Sequence, residues 1–321
     1  VSRVDPALLP AAPSGGGESL RTVVIAFGAN LLIAVAKSIA AVLTGSAAML
    51  AEAAHSWADA GNEIFLLFAQ RRGDRQRDAS HPMGYGREGY VWSMFAAFGL
   101  FSAGAVVSIW HGISELLDPE EAQDYVIAYV VLGLAFVLEG VSFLQAYRQA
   151  HARAERLQMD TLDHVLQSSD STLRAVFAED AAALIGLLIA ALGVGLHQLT
   201  GSVVPDALGS IAVGVLLGVV AVILIDRNRR FLVGVEITGP VRERLLSELL
   251  KDENVDRVTY LHAEFVGSAR LYVVAAVDIV GNEAESDLAR RLRAVEARLE
   301  AHPNIEEAVV TLATSDEASL T

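Results

Sequence analysis

The sequence predicts a membrane protein, all-α with six transmembrane helices, followed by a small cytosolic α+β domain of element order αββαβ. Three observations predict this. Apolar residues make up 53% of the chain and gather in runs such as 131–138, 181–196 and 211–225 that have no polar face, where a soluble domain would scatter them at helical or strand period. Spanning roughly 30 Å of hydrocarbon takes about 20 helical residues, and six windows qualify once their flanks are included: 22–44, 48–70, 90–113, 125–147, 172–198 and 205–226. After Phe231 no further window fits.

The elements follow in order. The first 19 residues, rich in Pro, Ala and Ser with the run Gly15–Gly17, read as a disordered leader. They lack the charged start, short apolar core and cleavage site of a signal peptide. The domain boundaries are then a leader at 1–20, a membrane domain at 21–230, a cytosolic domain at 231–315 and a tail at 316–321. Arg71, Arg72, Arg75, Arg77 and Arg87 lie between spans two and three, Arg148, Arg153 and Arg156 between four and five, and Arg227, Arg229 and Arg230 after six. The opposite connections (44–47, 114–124 and 199–204) have no Lys or Arg, and Asp118, Glu120, Glu121 and Asp124 make the middle one acidic. Basic loops stay inside, so both termini face the cytosol. In the soluble part Pro240 suits the first turn of a helix reaching Lys251. Runs 257–266 and 270–280, joined near Gly267-Ser268, read as a hairpin. Leu288, Leu292, Val295 and Leu299 mark an amphipathic helix over 284–301, and 308–313 is a last strand. Along span six, Ser210, Gly214 and Gly218 suggest close helix packing, and Asp206 after Pro205 suits a cap of that span.

Composition narrows the chemistry. With no cysteine there are no thiolate sites, so a metal would need His, Asp, Glu or Asn. The net charge of −15, with 17 acidic against 9 basic residues from Val233 onward, argues against nucleic acid as a partner. The tail has no Gly-rich phosphate loop, and the sequence shows no nucleophile–base pair, so an intramembrane hydrolase is not expected.

The chemistry gathers in span two. At 100° per residue Glu52, His55, Asp59, Asn62 and Glu63 share about a third of the helix circumference. Ionisable groups in hydrocarbon cost about 2.5–3.5 kcal/mol or more each, so they face a bundle interior or a wet cavity. His55 and Asp59, one turn apart, can point a ring nitrogen and a carboxylate at one ion. The competing reading, a hydrogen-bond network that only holds helices together, suits an isolated polar residue better than five on one face. In span five Glu179 and Asp180 point about 100° apart, so only one readily faces span two. Glu139 in span four and Asn30 in span one are candidate ligands, proton acceptors or interhelical contacts. Lys37 is expected to snorkel or pair with an acid. On the loop after span two, Asp78 and His81 form a possible second site, against the alternative of a turn punctuated by Pro82, Gly84 and Gly86.

The stretches at 26–64 (AFGANLLIAVAKSIAAVLTGSAAMLAEAAHSWADAGNEI), 81–88 (HPMGYGRE) and 205–214 (PDALGSIAVG) resemble the cation diffusion facilitator family of zinc transporters. The likeness runs from about 21 to 314, and VFAEDAAALIGLLIA in span five is similar to the zinc transporter nine branch. The resemblance implies a metallochaperone-like C-terminal domain and a homodimer in the cell (inner) membrane. It also implies antiport of a divalent cation, zinc first among them, against protons by alternating access, the metal being cargo and not a cofactor. The family's membrane site maps onto His55, Asp59 and Asp180, while Val176 stands where a fourth ligand would be. Water, Asn62, Glu179, Glu139 or Asn30 are open as its replacement. The loop site maps onto Asp78 and His81 with Tyr85 in place of a His, and only His262 and His302 remain in the tail. The missing ligand leaves a second expectation in play: a membrane metal sensor or regulatory scaffold of the same fold.

Overall fold

The computed structural model describes residues 20–119, 125–237, 239–282 and 284–320. The expected leader, and Glu120, Glu121 and Asp124 of the acidic connection, lie outside the described residues. The chain divides into two compact units, one holding Val91–Arg229 with the helical residues up to Ala69, the other Gln70–Tyr90 with Arg230–Thr321.

The first unit is helical. Its elements are α1 (Leu20–Thr44), α2 (Ala47–Gly73), α3 (Glu88–Ala96), a π-helical stretch (Ala97–Phe101), α4 (Ser102–Leu117), α5 (Tyr125–Leu157), a short α6 (Thr161–Gln167), α7 (Ser171–Thr200) and α8 (Val204–Val233). Among the described residues four spans are long and apolar enough to cross a membrane: Glu88–Leu117, Tyr125–Leu157, Ser171–Thr200 and Val204–Val233. In α1 the described apolar stretch is Asn30–Thr44. α2, with 27 residues, is long enough, but Glu52, Asp59 and Glu63 interrupt its hydrophobicity. Bulky apolar side chains such as Val42, Trp110, Val126 and Leu192 stand exposed on these helices, a surface that water would penalise and lipid would not.

Small residues let the helices close. Ala40, Ala48, Met49, Leu132, Leu187 and Ala190 join α1, α2, α5 and α7 in one core, and Phe101, Ala105, Ala182 and Leu217 join α4, α7 and α8 in another. On α8 a side-chain carbon at Gly214 would lie 2.7 Å from Ile109 Cγ1, and the Ser210 hydroxyl donates to Ser108 O. The expected close packing of this face is therefore against α4. Asp206 has another job than the expected one. From the first turn of α8 its carboxylate accepts from Ser46 Oγ at 2.9 Å and Ala47 N at 2.8 Å, so it caps α2. α7 is capped by Asp170, which accepts from the amides of Thr172 and Leu173.

In the second unit α9 (Pro240–Leu250) and α10 (Glu285–Glu300) pack on a sheet of β1 (Val255–Gly267), β2 (Arg270–Ile279) and β3 (Ile305–Leu312) in the order β1-β2-β3. β1 and β2 pair antiparallel, β2 and β3 parallel. The hairpin turns at Ala269, whose φ is +52°. Leu245, Leu249, Val258, Val273, Val277, Val295 and Leu299 fill its core, while Leu288 and Leu292 pack partly buried against it. The five expected elements are present in the expected order. β3 starts three residues earlier than its apolar run because Ile305 already pairs with Leu271. Residues 316–321 read as a separate tail, yet Leu320 packs on this core and its amide donates to Val258 O at 2.8 Å.

Candidate metal centre

The site is built on α2. The stretch Ala47–Ala60 is rich in alanine, so it stays helical while presenting its few long side chains to neighbours. Glu52, His55, Asp59 and Asn62 are buried and Glu63 half-buried. His55 Nε2 lies 3.2 Å from Asp59 Oδ2, the one-turn pairing that the spacing predicts. Several further buried atoms on this face have no hydrogen-bond partner: Glu52 Oε1, His55 Nδ1, Asp59 Oδ1 and Glu63 Oε2. Each such atom costs about 1–3 kcal/mol when left unmade.

α7 supplies the other wall. Asn62 Nδ2 donates to Glu179 Oε2 at 2.6 Å, and the Glu179 carboxylate also faces that of Asp59. Two ionised carboxylates have only acceptors to offer each other; a cation or a proton between them supplies what is lacking. Asp180 turns the other way and accepts from Ser142 Oγ of α5 at 2.9 Å, with Glu139, Asp59 and Glu63 in its electrostatic surroundings. Of the two acids, Glu179 is the one hydrogen-bonded to α2, while Asp180, the span-five member of the three-ligand core expected from the sequence, is bonded to α5. Ser142, one turn from Glu139 on α5, is a partner that carries no signal of its own in the sequence.

The remaining polar residues line the same face. Asn30 Nδ2 donates to Glu63 Oε1 at 2.6 Å. Lys37 Nζ sits 3.0 Å from Glu52 Oε2, both side chains fully buried, so this lysine is ion-paired and does not snorkel. Gly186 of α7 faces Glu52: a Cβ there would lie 2.5 Å from Oε1. Glu52 on Gly186 and Asn62 on Glu179 run in opposite sequence directions, so α2 and α7 are antiparallel. Among the described residues no three His, Asp or Glu side chains converge as a finished metal-ligand set. The donors are side by side and buried, but not closed around one point.

The loop after α2 is organised differently. Asp78 Oδ1 accepts from Ser80 N, Ser80 Oγ and His81 N, and Oδ2 accepts from Tyr85 Oη at 2.8 Å. The Ser80 and Tyr85 hydroxyls hold this carboxyl well below the usual carboxylate range. His81 Nδ1 is 3.7 Å from Asp78 Oδ1, and its ring stacks on Tyr85. Both Asp78 oxygens are engaged in forming the turn. The loop then docks within its own unit. A Cβ on Gly86 would fall 2.6 Å from Val266 O and 2.7 Å from Gly267 Cα, Arg87 pairs with Glu264 at 2.7 Å, and Arg77 donates to Glu306 O at 3.1 Å. His262 stands 3.6 Å from Glu236, and buried His302 accepts from Asn304 N, so the two tail histidines are on separate partners.

Comparison with known proteins bears on this arrangement. The profile of the cation efflux transmembrane domain matches residues 23–233. The chain is 34% identical over 264 residues to metal tolerance protein C4 of Arabidopsis thaliana, covering 82% of this chain and 58% of that protein. It is 33% identical over 261 residues to the mitochondrial proton-coupled zinc antiporter SLC30A9 of Homo sapiens, covering 81% and 46%. An uncharacterized transporter of Methanocaldococcus jannaschii is 24% identical over 298 residues, covering 91% and 97%. The chain spans about half the length of the first two relatives.

Proposed function

The chain belongs to the cation efflux family, a family of transporters and not of enzymes, and we propose that it carries a divalent cation, zinc first, across a membrane in exchange for protons. The observation that carries this reading is the row of buried, unpartnered polar atoms on one face of α2, a face to which Asn62 also ties the Glu179 carboxylate. A cation satisfies such atoms, and the apolar side chains around them do not. Imidazole and carboxylate suit zinc and its neighbours. Protons compete for the same atoms, so loading on the side of higher pH and release on the side of lower pH need no further machinery.

In this reading His55 and Asp59 hold the ion with Glu179 from α7. Asn62 positions Glu179, and Asp180, Glu139 and Asn30 balance charge around the centre. Six helices span the membrane, α1 and α2 included, with both termini and the αββαβ domain in the cytosol, and two copies act as a homodimer in the cell membrane. The relatives' printed activity, proton-coupled zinc antiport in one case, supports the assignment of cargo. The test is initial flux of zinc, manganese, iron, cobalt and nickel into proteoliposomes holding the full chain, with and without an imposed pH gradient. Zinc uptake that the gradient accelerates is expected. Tight zinc binding without flux of any ion would point instead to a membrane metal sensor, the reading that Val176 in place of a fourth ligand favours.

A further inference from the structure

Lys37 pairs with Glu52, and neither is among the residues proposed to hold the ion, yet the pair sits in the same row. We infer that Lys37 is an internal counter-ion that occupies Glu52 in place of the cation and so sets how tightly the site holds its cargo. The inference rests on the transport reading above and extends it to a residue outside the ligand set.

Three features carry it. Both side chains are fully buried and 3.0 Å apart. Buried pairs of this kind contribute little net stability compared with apolar residues of the same size, so bundle cohesion alone does not account for the pair. Glu52 lies three residues before His55 and seven before Asp59, on one face of α2. It thus shares the field of the ligands at a distance of one helical turn, and its second oxygen, Oε1, is buried and unpartnered. That oxygen also lies close against α7. It rests over Gly186, where a Cβ would come within 2.5 Å, and Gly186 is two turns along α7 from Glu179 on the same face. α7 thus brings its bare backbone to Glu52 and its carboxylate to Asn62 along one edge. The ammonium cancels the Glu52 charge that would otherwise add to the attraction for a divalent ion at His55 and Asp59.

The consequence is a pair of opposite signs. Lys37→Gln frees a buried negative charge next to the centre, so the full chain in detergent should bind zinc about tenfold tighter, with a lower maximal flux because release slows. Glu52→Gln leaves the ammonium uncompensated and should weaken binding about tenfold. A unit charge one turn away inside a protein is worth at least that much. The double variant Lys37→Gln with Glu52→Gln should return to within about threefold of wild type, and Lys37→Arg should behave as wild type. A pair that merely holds helices together would shift both single variants in the same direction, toward weaker binding, and that result overturns the inference. Should Lys37→Gln fail to fold, Glu52→Gln against the double variant decides: equal affinities overturn it. Zinc titration of the wild-type chain runs alongside. Absent binding there overturns the transport reading with it, whereas wild-type binding without the opposite signs overturns this inference alone.

Discussion

Gly86→Ala tests the docked loop most directly, and its size can be worked from the contacts. The new methyl would lie 2.6 Å from Val266 O and 2.7 Å from Gly267 Cα, against an ordinary carbon contact of about 3.5 Å. Both neighbours are backbone, so neither can rotate away; the loop and the β1–β2 turn have to part by close to 1 Å. Overpacking of this kind costs about 1–3 kcal/mol. The adjacent Arg87–Glu264 pair, partly exposed, contributes at most about 1 kcal/mol more when stretched. For a unit of this size such a loss lowers the melting temperature by about 5–20 °C. Thermal unfolding of the full chain in detergent measures it, and tryptic cleavage at Arg75 and Arg77 should accelerate as Arg77 loses Glu306. Gly99→Ala, with nothing within 4 Å of the added carbon, is the control. A Gly86→Ala protein that melts within a degree of wild type and resists trypsin equally would refute the docking argument.

Three further outcomes are expected. Glu179→Gln should weaken zinc binding about 100-fold and Asp180→Asn about tenfold, the first removing a ligand and the second a supporting charge; calorimetry giving the reverse order would return the centre to Asp180. Asn228→Ala removes the acceptor 2.7 Å from the buried Arg174 guanidinium and should cost about 1–3 kcal/mol, seen as a lower melting temperature that Asn228→Asp does not share. On α6, burial and then the nearby Arg153 push the His164 imidazole below its ordinary value. The unfolded chain therefore binds a proton at higher pH than the folded one, so stability is full above about pH 6.5 and declines as pH falls below it. Melting curves from pH 8 to 5 should show that decline, and His164→Gln should flatten it.

Much of this was legible in the residues. The positions of the four long apolar helices followed from length and hydrophobicity, and the His55–Asp59 contact from a spacing of four, because a helix admits only one geometry for it. What the sequence left open was rotation. Glu179 and Asp180 are adjacent, and which one meets α2 depends on how α7 packs through Gly186 and Ala182, information spread over neighbouring helices. Lys37 pairs with Glu52 across the turn between α1 and α2, so no helical periodicity links them. Gly84 and Gly86 announced a turn, but the reason for a bare Cα at 86 is the backbone of Gly267, far along the chain. α5 continues to Leu157, ten residues past the last apolar window, because QAHARAERL consists largely of good helix formers that a hydropathy window ends before.

The contacts of the chain's last residues have a practical consequence. A strand's free side is a row of open amides and carbonyls on which a second molecule can add its own strand. On β1 that side is occupied twice: Ile237 N donates to Ala263 O and Phe265 N to Val235 O at one end, while Leu320 N donates to Val258 O at the other. Arg257 fastens the second piece through the carbonyls of Thr314 and Glu317. Cutting the chain back to residue 313 would strip the Leu320 piece of that cover from the longest strand of the sheet and open the edge near Val258 to self-association, so a soluble fragment meant to stay monomeric in concentrated solution has to keep its residues through Leu320.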